Sequence, residues 1–198
     1  MKNISFELRR QSMHVLLGLL IIFLALLDRV FTLWFLFILI CFGVLLSLLQ
    51  IKFNFRFIDV ILDRFERQKY MRRFPFRGTL SFIFGSLLVL KIFSLDIALA
   101  SIAILAFSDS FSHIIGKLGN RKNPLDKSKN IEGTISGIIV GTIAASFFVP
   151  VLFAFIASFF AMLSEVLSFK LQEEKIDDNI IIPLISATVI FLLRLFLK

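Results

Sequence analysis

Residues 108–137 read SDSFSHIIGKLGNRKNPLDKSKNIEGTISG, and this stretch, set between two apolar runs, decides the fold. It places Asp109 and His113 one helical turn apart at the end of a hydrophobic helix. A Gly-containing loop with five basic residues follows, and the next helix opens on Glu132-Gly133. Carboxylates and clustered Lys/Arg side chains are costly where a membrane meets water, so they mark a site for phosphates and a metal. The flanking runs then read as membrane helices and the segment between them as a loop that carries chemistry.

Working outward, the 198-residue chain is 58% hydrophobic, where an ordinary soluble domain is about 45–50% apolar. Its mean hydropathy is +0.93. Several runs reach the roughly 18 apolar residues that mark a spanning helix. The pattern predicts helices at about 13–27, 30–51, 78–93, 95–115, 133–149, 151–169 and 179–197. The expected fold is therefore all-α: a polytopic integral membrane bundle of about seven transmembrane helices plus an amphipathic interfacial helix, in one domain over 1–198. Cys41 is the only cysteine, which excludes an intrachain disulfide and a cysteine metal motif. The polar start MKNISFELRRQSMH runs into an apolar helix with no small-residue cleavage pattern, so that helix reads as retained.

The net charge of +8 is explained by its distribution. Seven crossings put the N-terminus and the loops 52–77, 116–132 and 170–178 on one side, with 18 of the 22 Lys and Arg. Arg29, Lys91, Arg194 and Lys198 fall on the other. The positive-inside bias makes the first side cytoplasmic, and no nucleic-acid partner is needed. Within loop 52–77, Phe57, Ile58, Ile61, Leu62 and Phe65 recur at helical spacing among charges, which predicts an amphipathic helix lying at the interface. It fits anchoring to anionic headgroups; phosphate binding by Arg72, Arg73 or Arg77 is the other reading. Gly133, Gly137 and Gly141 repeat every four residues, which lets a neighbouring helix approach closely.

Four polar clusters fall on the expected cytoplasmic side. In the first, Glu7, Arg9, Arg10 and His14 lead into the first helix, with Arg10 and His14 on one face. In the second, Asp109 interrupts the apolar AILAFSDSF, where an unpaired carboxylate is costly. Mg²⁺ or a basic partner would offset that cost, and His113 and Gly116 follow. The third is the loop Lys117, Gly119, Asn120, Arg121, Lys122, Asn123, Lys127, Ser128, Lys129, closing on Glu132-Gly133. Its cations, turn amides and following helix start suit a polyphosphate, although no GxxxxGK[ST] P-loop is present. In the fourth, Glu165 lies among apolar residues and Asp177-Asp178-Asn179 opens the last helix, either as caps or as ligands, with Pro183 a turn later.

Together these clusters resemble the polyprenol kinase family, which includes dolichol kinase, phytol kinase and the CTP-dependent diacylglycerol kinase. Glu7-Leu8-Arg9-Arg10 with His14 resembles E-x-x-R-K-x-x-H, and Arg77-Gly78 resembles a basic-glycine entry to the third helix. Ser108-Asp109 stands where that family has Gly-Asp. Gly116 to Gly119, Lys127-Ser128-Lys129 and Glu132-Gly133 resemble its loop signature, and Glu165 with Asp177-Asp178-Asn179 and Pro183 resembles its C-terminal close. Gln11 replaces a common Lys and Asn130 a usual Thr, which removes one charge and one hydroxyl. Lys127–Gly133 also resembles part of the CDP-diacylglycerol synthases.

The resemblance implies a lipid-alcohol kinase that transfers a phosphoryl group from CTP or ATP to an isoprenoid alcohol or diacylglycerol, assisted by Mg²⁺. It implies Asp109 with Asp177 or Asp178 as metal ligands. Arg10, Lys117, Arg121, Lys127, Ser128, Lys129, Glu132 and Gly133 would serve the nucleotide, and Asp109 or His14 would take the alcohol proton. Glu165, Asn179 and His113 would support them. A cytidylyltransferase making a CDP-lipid and a non-enzymatic transporter are the alternatives. The expected partners are the lipid alcohol, the nucleoside triphosphate and membrane lipids.

Overall fold

The computed structural model describes residues 4–65, 74–167, 170–171 and 174–197. Eight helices occur among them: α1 (Ile4–Leu27), α2 (Arg29–Phe53), α3 (Arg56–Phe65), α4 (Arg77–Ile92), α5 (Leu95–Leu118), α6 (Ile131–Ala145), α7 (Val151–Leu167) and α8 (Asp178–Phe196). The all-α expectation has one exception, the two-residue strands β1 (Lys170–Leu171) and β2 (Glu174–Lys175), paired antiparallel. Each predicted helix has a counterpart, and the main shift is at the start. α1 begins at Ile4, about nine residues before the predicted edge, because Glu7, Arg10 and Gln11 bond to one another along one helical face. At the other end of the bundle, α6 stops at Ala145 and the chain turns through Ser146–Val149 ahead of Pro150.

Four helices, α1, α2, α5 and α8, are long and apolar enough to cross a membrane, and the chain is a membrane protein. α4, α6 and α7 have 16, 15 and 17 residues, fewer than the roughly 20 a full crossing needs.

α5 is the axis of the bundle. In its most apolar 18-residue window 78% of the residues are buried, against 17% in α2. It packs against α1, α4, α6, α7 and α8. Many of its inward positions are small, including Ala98, Ala100, Ala103, Ala106, Ser108 and Ser112, all buried. Lipid gives helices no hydrophobic reason to associate, so close approach and van der Waals contact must hold them. Large apolar residues such as Leu16, Phe23, Trp34, Ile38 and Phe42 face outward. The Gly133–Gly137–Gly141 stripe is buried in the seam with α5. A Cβ at Gly133 would lie 2.6 Å from the Ser112 carbonyl oxygen and 2.8 Å from Gly116 Cα.

α3 is the amphipathic helix expected from loop 52–77. Asn54, at φ 52°, turns the chain out of α2, a left-handed conformation that Asn tolerates. Gln50 then fixes the corner: its Nε2 donates to Asp59 at 2.8 Å and its Oε1 accepts from Phe55 N at 3.0 Å. Leu62 is buried where α3 packs on α1, while Phe57 is 76% exposed. Arg72 and Arg73 lie outside the described residues. At the far end of the bundle, Arg29 donates to the Leu90 and Phe93 carbonyls that close α4, and Arg194 pairs with Asp96.

Candidate active site

The N-terminal end of α1, the C-terminal ends of α5 and α7, and the N-terminal ends of α6 and α8 surround a polar cleft of about 410 Å³. Its walls include Glu7, Ser112, His113, Lys117, Ser128, Lys129, Glu165 and Asp178. These residues lie far apart in sequence, and two ion pairs between distant segments, Glu7–Lys117 and Lys129–Glu165, hold them. Glu7, 4% exposed, accepts from Arg10 at 2.5 Å and Gln11 at 2.8 Å through Oε1, and Lys117 of α5 reaches its Oε2 at 2.5 Å. Glu165, 2% exposed, receives Lys129 Nζ at 2.6 Å on Oε1 and Ser112 Oγ at 3.0 Å on Oε2.

Asp109, His113 and Glu165 each present a donor atom within 4.8 Å of the others. His113 Nε2 is 3.5 Å from Asp109 Oδ1. Burying two carboxylates this close together is unfavourable unless cations stand between them. The donor set therefore fits a divalent cation, with carboxylate oxygens for Mg²⁺ and an imidazole nitrogen that a transition metal would also accept. Of the other acids considered from the sequence, Asp178 lines the cleft. Asp177 caps α8 by accepting from Asn179 N at 3.2 Å, and it lies 3.5 Å from Arg77 Nε.

The basic loop is a shaped strap. Lys122 and Asn130 form a bridge, Asn123 N donates to Lys129 O at 2.9 Å, and Ile131 N donates to Arg121 O at 2.9 Å. Asp126 accepts from the amide and hydroxyl of Ser128, at 2.9 and 2.7 Å, which turns Ser128 and Lys129 into the cleft. Glu132 holds the strap from the start of α6, accepting the Asn120 and Arg121 amides at 3.1 and 3.0 Å on Oε1. Arg121 and Lys127 are exposed on the strap. Asn130 donates to the Gly116 and Gly119 carbonyls at 2.5 and 2.8 Å and so caps the end of α5. Its Oδ1 is buried with no hydrogen-bond partner among the described residues.

Asn179 ties α8 to α4, donating to Gly78 O at 3.2 Å and Ser81 Oγ at 3.3 Å. Arg10 and His14 are not among the residues that line the cleft; they line a second, smaller cavity. Ser112, Asp126, Asn130 and Thr134 were not assigned to the site from the sequence. For Asp126 a signal existed, since Asp-x-Ser is a turn pattern. For the others the residue type alone carried none.

No family model and no solved structure matches the chain. Over 186 residues it is 28% identical to an uncharacterized protein of Methanocaldococcus jannaschii, covering 93% of this chain and 92% of that one. Over 74 residues it is 27% identical to the CTP-dependent diacylglycerol kinase 1 of Eremothecium gossypii. That alignment takes in 37% of this chain and 23% of the kinase. The fold and the cleft thus define a membrane protein with a polar site at one end of its helices. Its partial similarity is to a lipid kinase.

Proposed function

We propose that this protein is a multi-pass membrane lipid-alcohol kinase, with its N-terminus and the cleft on the cytoplasmic side. It moves the γ-phosphoryl of CTP or ATP to a membrane alcohol such as an isoprenoid alcohol or diacylglycerol. The observation that carries this reading is the Asp109–His113–Glu165 group, two buried carboxylates and a half-buried imidazole, beside Lys117 and Lys129, where helix ends meet the basic strap. The partial similarity to a CTP-dependent diacylglycerol kinase supports it. The shorter α4, α6 and α7 complete the seven crossings through local thinning of the bilayer and snorkelling of flanking residues.

Phosphoryl transfer asks a protein mainly for positioning and charge neutralisation. Lys117, Lys129 and the Ser128 hydroxyl face the cleft and bind the phosphates, while Glu132 keeps the strap in shape. Asp109 and Glu165 hold Mg²⁺, which when bound offsets charge on the transferring group. His113 lines the cleft with Asp109 one turn behind it, so it accepts the proton of the alcohol hydroxyl. The alcohol oxygen forms the new bond to Pγ, and the bond from Pγ to the β,γ-bridging oxygen breaks. The nucleoside diphosphate leaves with that electron pair.

The test uses purified protein in detergent with Mg²⁺, γ-³²P CTP or ATP, and farnesol, geranylgeraniol, phytol, undecaprenol or diacylglycerol. Label in an organic-extractable product, absent with Asp109→Asn, is the expected result. Pyrophosphate release from CTP on adding a lipid phosphate would replace the kinase with a cytidylyltransferase. Folded protein showing neither reaction would end the enzymatic reading.

A further inference from the structure

Beside the cleft lies a mostly apolar cavity of about 130 Å³ between α1, α3 and the start of α4. Met13, Leu62, Phe65 and Phe76 line it, with Arg10, His14 and Thr79 as its polar members. Three observations set it apart from a packing fault. Arg10 lines the cavity and Glu7 lines the cleft, so the 2.5 Å ion pair between them is the wall the two spaces share. Phe76 reaches the cavity from a left-handed backbone, φ 64° and ψ 14°. That is an outlier for a bulky side chain, and such backbones persist where the surroundings enforce them, often at ligand clamps. The third is α3, an amphipathic helix whose buried Leu62 forms one face of the cavity.

We propose that this cavity takes the first carbons of the lipid alcohol's chain, with the hydroxyl passing over the Glu7–Arg10 pair into the cleft. The proposal rests on the kinase reading above. An apolar cavity near 150 Å³ stays dry and accepts a benzene-sized hydrocarbon, so this one has room for about five carbons next to the hydroxyl. The rest of the chain leaves along the outward face of α1, where Leu16, Leu20 and Phe23 are exposed. His14 and Arg10 then meet the polar head at the mouth, where hydrocarbon gives way to ions. α3 is the cover of the lipid site as well as an interfacial anchor.

Photocrosslinking tests this on the full chain in nanodiscs, with and without nucleotide. The probes are geranylgeraniol with a diazirine in its first isoprene unit and dioleoylglycerol with a diazirine near the ester. Expected are crosslinks on Met13, Leu62, Phe65 or Phe76, competed by the unlabelled parent alcohol. Whichever probe reacts shows whether an isoprenoid or a glyceride chain fills the cavity. Met13→Trp and Leu62→Trp, which fill the space, should remove those crosslinks. They should also raise KM for the alcohol about tenfold while leaving KM for the nucleotide unchanged. Crosslinks confined to other helices, with alcohol KM unaltered in both variants, would overturn the proposal even if phosphoryl transfer is robust. If transfer fails in the wild type while crosslinks still fall in the cavity, the kinase reading is lost and the chain-binding site stands.

Discussion

Lys129, on the strap before α6, places its Nζ 2.6 Å from Oε1 of Glu165 on α7 and 2.5 Å from the Glu165 main-chain carbonyl. One ammonium therefore joins the basic strap to the buried carboxylate group. Removing it takes away the cation that sits on the buried Glu165 carboxyl beside Asp109. Breaking a buried pair from one side costs roughly 3–5 kcal/mol. Lys129→Met is thus expected to lower the melting temperature in detergent well below that of the exposed-site control Lys127→Met. Equal melting curves for the two variants would show that the pair carries no such weight.

Divalent cations should partly rescue that loss, because a metal between Asp109 and Glu165 neutralises the same charges. For the wild type, a cation at about 100 times its Kd stabilises by about 2.7 kcal/mol. Thermal unfolding with Mg²⁺ or Mn²⁺ against EDTA should show an upward shift. Asp109→Asn and Glu165→Gln should abolish it, and His113→Gln should keep most of it while losing turnover. A shift that survives both carboxylate variants would place the cation elsewhere.

Glu132 makes its contribution through backbone amides. Glu132→Ala removes the acceptor for the Asn120 and Arg121 amides and should raise nucleotide KM on the order of tenfold, because charged acceptors make the stronger hydrogen bonds. Glu132→Gln keeps one acceptor oxygen and should fall between that variant and the wild type. If the two substitutions behave alike and leave KM untouched, the strap does not need this anchor.

The helix seam is sharply position-dependent. Gly133→Ala would press a methyl group into the Ser112 carbonyl and Gly116 Cα, both main-chain atoms. Such overpacking costs roughly 1–3 kcal/mol. Gly116→Ala would meet only Gly133 Cα at 3.5 Å, an ordinary contact. Melting temperatures and activity of the pair should therefore diverge, with Gly133→Ala the impaired one.

Much of this was legible along the chain. Apolar runs gave the positions of the helices because a bilayer leaves few ways to satisfy a backbone. The glycines at 133, 137 and 141 showed by their spacing alone that α6 packs closely on a neighbour. The start of α1 was read too late because polar residues that bond along one face look like a tail when only hydropathy is counted. Asn130, read as a lost hydroxyl, proves to be the cap that closes α5.

By itself the sequence determined the helical membrane architecture, the concentration of charge toward one end and the residue types available for chemistry. These follow from local pattern and the cost of exposing polar groups to lipid. Only the tertiary structure decided which of those residues meet. It set Glu165 beside Asp109 and His113, gave Glu7 to Lys117, turned Asp177 toward capping and Arg77, and moved Arg10 and His14 to an apolar cavity. Pairings between helices distant in sequence depend on how small residues let the helices approach and rotate, and no local pattern encodes that angle.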